Sequence, residues 1–228
     1  MSKKNYPGWE LKFFDNSKNF RSYQFDLIKN YLHGQLAEIG PGNGINLLYY
    51  IDKPSKIDLF EPSKKHYSKL RKNFKKNKKV KIKNLSFAGK GMYDTILYLD
   101  VIEHIKNDKK EVIKAFRSLK KGGNLVINVP AFQHLYSNFD RDVGHFKRYN
   151  KKDFEEIFKN LRFSSYRAFY YDSIGYFLSL MSKLIISNYK NNFEKKIKLW
   201  DSCIWISRLL DKIIFNRCGK SLLLIIKK

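Results

Sequence analysis

Cysteine is nearly absent: Cys203 and Cys218 are the only two in 228 residues. Two thiols cannot build a disulfide framework, and they point to a reducing compartment. No run reaches the roughly 18 apolar residues that a membrane-crossing helix needs. The longest candidate, 174–186, has 13 residues and contains Lys183. The N-terminal MSKKNYPGWE has no apolar stretch of signal-peptide type, so a cytoplasmic protein is expected. No Pro-, Gly- or Ser-rich linker divides the chain. Acidic side chains are few, 21 against 46 basic ones, which leaves a formal charge of +25. Such a charge suits nucleic acid or the anionic inner face of a membrane. Arginine, the bidentate phosphate reader, is scarce, however: 9 residues against 37 lysines. Lysine and 19 asparagines are also what an A/T-rich genome would encode, so charge alone names no partner.

What is present suits one globular domain over 1–228: 43% apolar and 16% aromatic residues, without repeats. Branched apolar segments at 36–40, 57–61, 80–85, 95–100 and 125–130 read as buried parallel strands. Between them, 20–32, 45–51, 63–76 and 108–119 read as helices. The helix over 63–76 sets Tyr67, Leu70 and Phe74 on one face, and Gly122-Gly123 reads as a cap for the helix over 108–119. This alternation predicts an α/β doubly wound sheet. The last third differs. A short helix over 153–159 and a strand over 164–171 precede two apolar amphipathic stretches, 173–187 and 195–215. A strand over 221–226 closes the chain. Residues 172–218 therefore form a helical insertion, suited to a lid over substrate or to a lipid interface.

The strongest functional signal is EIGPGNG, 38–44, at the end of the first strand. Gly40, Gly42 and Gly44 permit a tight strand-to-helix turn and close approach of backbone to ligand. Glu61 ends the second strand, where a carboxylate can accept both hydroxyls of a ribose. A dinucleotide site would need Gly or Ala where Ile45 stands. Glu38, just before the turn, would repel a pyrophosphate and instead suits a cationic amino-acid moiety.

These residues resemble motif I of class I S-adenosylmethionine-dependent methyltransferases. Residues 93–105, YDTILYLDVIEHI, are similar to the fourth strand of that family and its D-V-x-E-H ending. LKKGGNLVI, 119–127, is similar to its L-K-P-G-G turn, with Lys121 in place of proline. DVGHFKRY, 142–149, resembles a G-H-x-R-R-Y segment of a bacterial type 11/12-like subgroup found near glycan and lipid biosynthesis. The resemblance implies a Rossmann-like sheet of order 3-2-1-4-5-7-6 with strand 7 antiparallel. It implies that Glu38, Gly40, Gly42 and Gly44 surround the methionine part of S-adenosyl-L-methionine, with Glu61 on the ribose. Asp100 and Val101 would face the side nearer substrate. The family's acid after strand 3, which holds adenine, is missing from LSFAG, 85–89, where Ser86 or a backbone carbonyl remains for that contact.

For a hydroxyl acceptor a base helps, and His145, in a polar loop beyond a strand's carboxyl end, is the first candidate. His104 is the second. Arg148 and Tyr149 are the expected substrate residues, although Asp–Arg pairs and a buried tyrosine could equally pin this loop. Glu103-His104 has no accompanying Cys/His set, so no metal is expected. The expected reaction is methyl transfer to a small-molecule, glycan or lipid-linked acceptor, with oxygen as the favoured acceptor atom. The eleven basic residues of 64–83 motivate an RNA acceptor as the alternative. A catalytically silent membrane scaffold on the same fold is a further one.

Overall fold

The computed structural model describes residues 8–184 and 190–228. Seven strands form one sheet: β1 Gln35–Ile39, β2 Lys56–Phe60, β3 Val80–Lys83, β4 Tyr93–Leu99, β5 Leu119–Pro130, β6 Ser165–Tyr171 and β7 Ser221–Lys227. Their order is β3-β2-β1-β4-β5-β7-β6. β1 to β5 pair in parallel, and β7 runs antiparallel between β5 and β6. Alternation along each strand feeds two cores, one on each face. Ala37, Ile39, Ile96 and Tyr98 pack into one, while Leu36, Leu97 and Leu99 pack into the other.

The helices are α1 Leu11–Phe14, α2 Lys18–Ile28, α3 Leu47–Tyr50, α4 Lys64–Phe74, α5 Asp108–Arg117, α6 Asn138–Val143, α7 Lys151–Phe158, α8 Ser173–Leu184, α9 Phe193–Ser202 and α10 Ile204–Ile213. None of the described helices is long and apolar enough to cross a membrane. α4 buries His66, Leu70 and Phe74 at four-residue spacing, while Tyr67 is only half-buried. Its lysines, among them Lys65, Lys69 and Lys72, form an exposed face.

Two expectations are corrected. Gly122-Gly123 does not cap a helix. α5 ends at Ser118, whose hydroxyl donates to the carbonyl oxygens of Lys114 at 2.9 Å and Gly89 at 3.0 Å. The glycines instead lie inside β5, where its register against β4 shifts between Tyr93 and Thr95. Gly122 takes φ +78° there, and a Cβ on Gly123 would stand 3.0 Å from the Tyr93 carbonyl oxygen. The stretch 195–215 is likewise not one helix. It breaks at Cys203 into α9 and α10, and the end of the stretch 173–187 lies outside the described residues.

Both pieces are tied to the domain. Trp200 of α9 is buried and donates to Asp172 Oδ2 at 2.9 Å. Asp211 of α10 is fully buried and accepts from the Tyr23 hydroxyl of α2 at 2.8 Å and from the amides of Asp172 and Ser173 at 2.7 and 3.0 Å. Asp211→Ala would orphan three buried donors at roughly 1–3 kcal/mol each. A loss of at least about 3 kcal/mol is expected in denaturant unfolding. A variant as stable as wild type would mean the insertion is not docked in this way.

Candidate active site

The carboxyl ends of β1, β2, β4 and β5 open into one cavity of about 1420 Å³. Gly40 and Gly42 line it, at φ +67° and +57°. A Cβ on Gly40 would come to 2.9 Å from Val101 Cγ2, so that contact requires glycine. Gly44 faces elsewhere: its Cβ would meet Leu70 Cδ2 at 2.6 Å, which makes it the contact that seats the loop on α4.

Glu61 is 5% exposed and lines the cavity. Its Oε2 accepts from the Gly42 amide at 3.1 Å and its Oε1 from the Ser63 amide at 2.8 Å. Burial pushes the carboxyl up to about 7 against those two donors. Each oxygen keeps a lone pair for a further donor, which fits ribose hydroxyls. Glu38 lies beneath the loop instead of in the cavity wall, and accepts a hydrogen bond from the Tyr50 hydroxyl. Burial raises it to about 7 as well, with the Tyr50 bond and the Arg21 charge pulling the other way.

Arg21 of α2 lines the same end of the cavity and carried no signal in the sequence, being one basic residue among 46. It donates to the Phe14 carbonyl at 3.0 Å and to Asn46 Oδ1, and stands 3.5 Å from Asp15. Its buried Nε has no acceptor among the described residues. An orphaned guanidinium N–H beside the glycine loop fits the carboxylate of an amino-acid moiety. Asn84 also reaches the cavity wall, whereas Ser86 does not.

Asp100 follows β4 in a left-handed conformation, φ +56°, held by Asn128 Nδ2 at 2.8 Å from its Oδ1. It is open to the cavity yet surrounded by protein, so burial raises its pKa while Arg21, His145 and Lys220 draw it down. Val101 is buried beside it.

The fold brings the two candidate histidines together from 41 positions apart, with ring centroids 4.7 Å from each other. Two backbone-anchored contacts do this: the Phe146 amide donates to the Glu103 carbonyl at 2.8 Å, and His104 Nδ1 lies 3.2 Å from the Gly144 carbonyl oxygen. Burial and the neighbouring His145 push His104 down to about 3, so it is neutral. His145 Nδ1 lies 2.8 Å from Asp140 Oδ1. Asp140 also takes the Arg148 guanidinium in a fork, Nε at 2.9 Å and Nη2 at 3.0 Å, and is held below the usual carboxylate range by these partners despite its burial. Arg148 lines the cavity with its charge already committed to Asp140. Tyr149 does not line it. Tyr149 is 1% exposed, and its hydroxyl donates to Asp108 Oδ2 at 2.9 Å.

Glu103, 1% exposed, completes this corner, with Oε1 3.8 Å from His145 Nε2. On another wall, Lys220 precedes β7 and holds its ammonium 4.3 Å from the Trp200 ring centroid and 5.7 Å from that of Phe14. Burial lowers its pKa, opposed mainly by Asp172.

Comparison with known proteins agrees with this architecture. Residues 17–164 match a family described as a methyltransferase domain. None of the curated proteins matches the sequence. Among solved structures, phosphoethanolamine N-methyltransferase 2 of Haemonchus contortus with bound S-adenosyl-L-methionine shares 15% identity at a TM-score of 0.66. That match covers 100% of this chain and 60% of the other. An S-adenosylmethionine-dependent methyltransferase of Archaeoglobus fulgidus shares 16% identity over 99% of this chain and 100% of its own, at a TM-score of 0.63. A methyltransferase of Thermotoga maritima, described as a possible histamine N-methyltransferase, shares 14% over 99% and 97%, at 0.64.

The fold and site thus define a Rossmann-like methyltransferase. The chain belongs to the methyltransferase-domain family, and S-adenosyl-L-methionine is its methyl donor.

Proposed function

We propose that the chain methylates an oxygen of a small-molecule, glycan or lipid-linked acceptor that carries an anionic group. S-adenosyl-L-methionine supplies an electrophilic sulfonium methyl, so the protein's work is binding, alignment and exclusion of water. Gly40, Gly42, Arg21 and Glu61 hold the cofactor, with Glu38 adding negative potential from below. Asp100 and Val101 separate that end from the His104–His145 corner, and His145 acts there on the acceptor's nucleophile.

The observation that carries the acceptor class is Lys220. Among the described residues no carboxylate or hydrogen-bond acceptor reaches its ammonium, which stands over Trp200 in the cavity wall. A half-buried ammonium with no counter-ion in direct contact suits a ligand that supplies the opposite charge. The Haemonchus contortus neighbour was also solved with phosphomonomethylethanolamine, a phosphate-bearing ligand. Lys220→Met should raise the acceptor KM by about tenfold or more, the value of a charge-assisted hydrogen bond, and leave cofactor affinity unchanged. Incubation with labelled S-adenosylmethionine and glycan or lipid extracts tests the class. Label in phosphate- or carboxylate-bearing species supports it, and label in neutral species alone refutes it.

A lipid-linked acceptor also accords with the insertion. Trp200 lines the cavity as a lid residue would, while Phe177 and Met181 of α8 and Trp205, Leu209 and Ile213 of α10 are exposed. An exposed apolar face flanked by Lys196, Lys198 and Lys212 suits peripheral contact with an anionic membrane.

Cofactor binding should depend on pH. Burial raises both Glu61 and Glu38 to about 7 in the free protein, with the Arg21 charge opposing it at Glu38. Ribose hydroxyls and a cationic cofactor favour the ionised forms. Binding therefore releases protons below about pH 7, and affinity rises with pH up to about 7 and levels off above it, by at most tenfold per unit for each group. Calorimetry in buffers of differing ionisation enthalpy reads the proton count. Proton uptake, or affinity that falls with pH, would contradict these assignments.

A further inference from the structure

We propose that Glu103, His104 and His145 form a binding site for one divalent transition-metal ion of the zinc type, open to the acceptor side of the cavity. The proposal rests on the methyltransferase reading only for its purpose, to hold and acidify the acceptor's oxygen. The site itself is argued from geometry.

One ligand atom from each residue lies within 4.8 Å of the other two. Tetrahedral zinc with bonds near 2.1 Å sets its ligand atoms about 3.4 Å apart. The 3.8 Å between His145 Nε2 and Glu103 Oε1 is already close to that, and small side-chain rotations bring in the third. Two imidazoles and one carboxylate are a donor set suited to zinc and its first-row neighbours.

Glu103 gives the second, independent observation. Its side chain is wholly buried, both carboxylate oxygens lack a hydrogen-bond partner among the described residues, and yet it lines the cavity. Buried carboxylates are normally satisfied, and an ion would satisfy this one.

The third observation is the support behind each imidazole. A ligating histidine usually donates its other ring N–H to a carboxylate or a backbone carbonyl, which fixes tautomer and orientation. His145 turns Nδ1 to Asp140, and Asp140 is itself held by Arg148 and the Ser137 amide and hydroxyl. His104 turns Nδ1 to the Gly144 carbonyl oxygen, which can only accept. In both rings that leaves Nε2 as the atom with the lone pair. All three residues line the cavity, so positions left open on the ion face the space in which the acceptor sits. The sequence pair Glu103-His104 lacked this third member, which the loop after α6 delivers.

The test uses the untagged 228-residue chain, dialysed against chelator and titrated with cobalt(II) chloride. Visible d–d absorption and calorimetry follow the ion, and S-adenosylhomocysteine binding serves as an independent check on folding and on the cofactor site. Wild type should bind one equivalent with structured visible bands. Glu103→Gln and His145→Ala should each lose those bands and weaken binding by more than about tenfold, while retaining S-adenosylhomocysteine. Wild type that binds S-adenosylhomocysteine but not cobalt overturns the ion and leaves the methyltransferase reading standing. Cobalt binding unchanged in both variants locates the ion elsewhere and also overturns the proposal.

Discussion

His145→Ala should lower turnover by about 10²- to 10⁴-fold, the usual worth of a group that activates the acceptor's nucleophile. The cofactor dissociation constant should stay within about twofold. The asymmetry follows from where the residue sits. His145 belongs to the loop after α6, pinned by Asp140, and shares a corner with Glu103 and His104. The glycine loop, Glu61 and Arg21 make no hydrogen bond or ion pair to it. The loop itself should survive the change, because the Arg148–Asp140 fork and the Ser137 contacts to Asp140 do not need the imidazole. A comparable loss of turnover and of cofactor affinity would instead make His145 a structural residue. Turnover close to wild type would remove the corner from the chemistry altogether.

Glu61→Ala should act in the opposite way. Losing charge-assisted hydrogen bonds to ribose costs about 1.5–3 kcal/mol each, so S-adenosylmethionine binding should weaken on the order of 10- to 100-fold or more. The variant also strips an acceptor from the amides of Gly42 and Ser63, which loosens the turn it braces. Glu61→Gln separates the two effects. It keeps an acceptor for one of the two amides, which donate to different oxygens, and loses the charge, so a fold that stays intact with weakened binding isolates the ribose contact. Affinity unchanged in both variants would refute the assignment of Glu61.

The sheet was legible because its evidence is local. Branched apolar runs separated by amphipathic ones dictate parallel strands with helices between them, and only the family resemblance supplied the antiparallel placement of β7. The residues proposed for the cofactor were legible for the same reason: Gly40, Gly42 and Glu61 stand at strand ends that the pattern locates, and all three line the cavity. Glu38 and Gly44 showed the limit of this. They belong to the same motif, yet one supports the loop from the core and the other packs it against α4, a distinction that depends on which way each residue faces.

The acceptor half was less legible because it is made by contacts between distant segments. Lys220 was one lysine among 37 until β7 placed it against Trp200 of the insertion. Arg21 reaches the cavity only through the placement of α2, from which its guanidinium donates to Asn46 and to the Phe14 carbonyl. Glu103 and His104 were visible as a pair, but their approach to His145 depends on a turn closed by Gly144 at φ +85°. The break at Cys203 was hidden for a different reason. Apolar periodicity continues through it, while the buried contacts of Trp200 and Asp211 lie on either side of the break.

The most direct measurement is a calorimetric titration of the purified chain with S-adenosylmethionine and S-adenosylhomocysteine. Saturable binding of each is expected at one per chain, in mutual competition, with protons released below neutral pH. A folded protein that binds neither would contradict it, because the Gly40–Gly42 turn, Arg21 and Glu61 would then have no ligand in common.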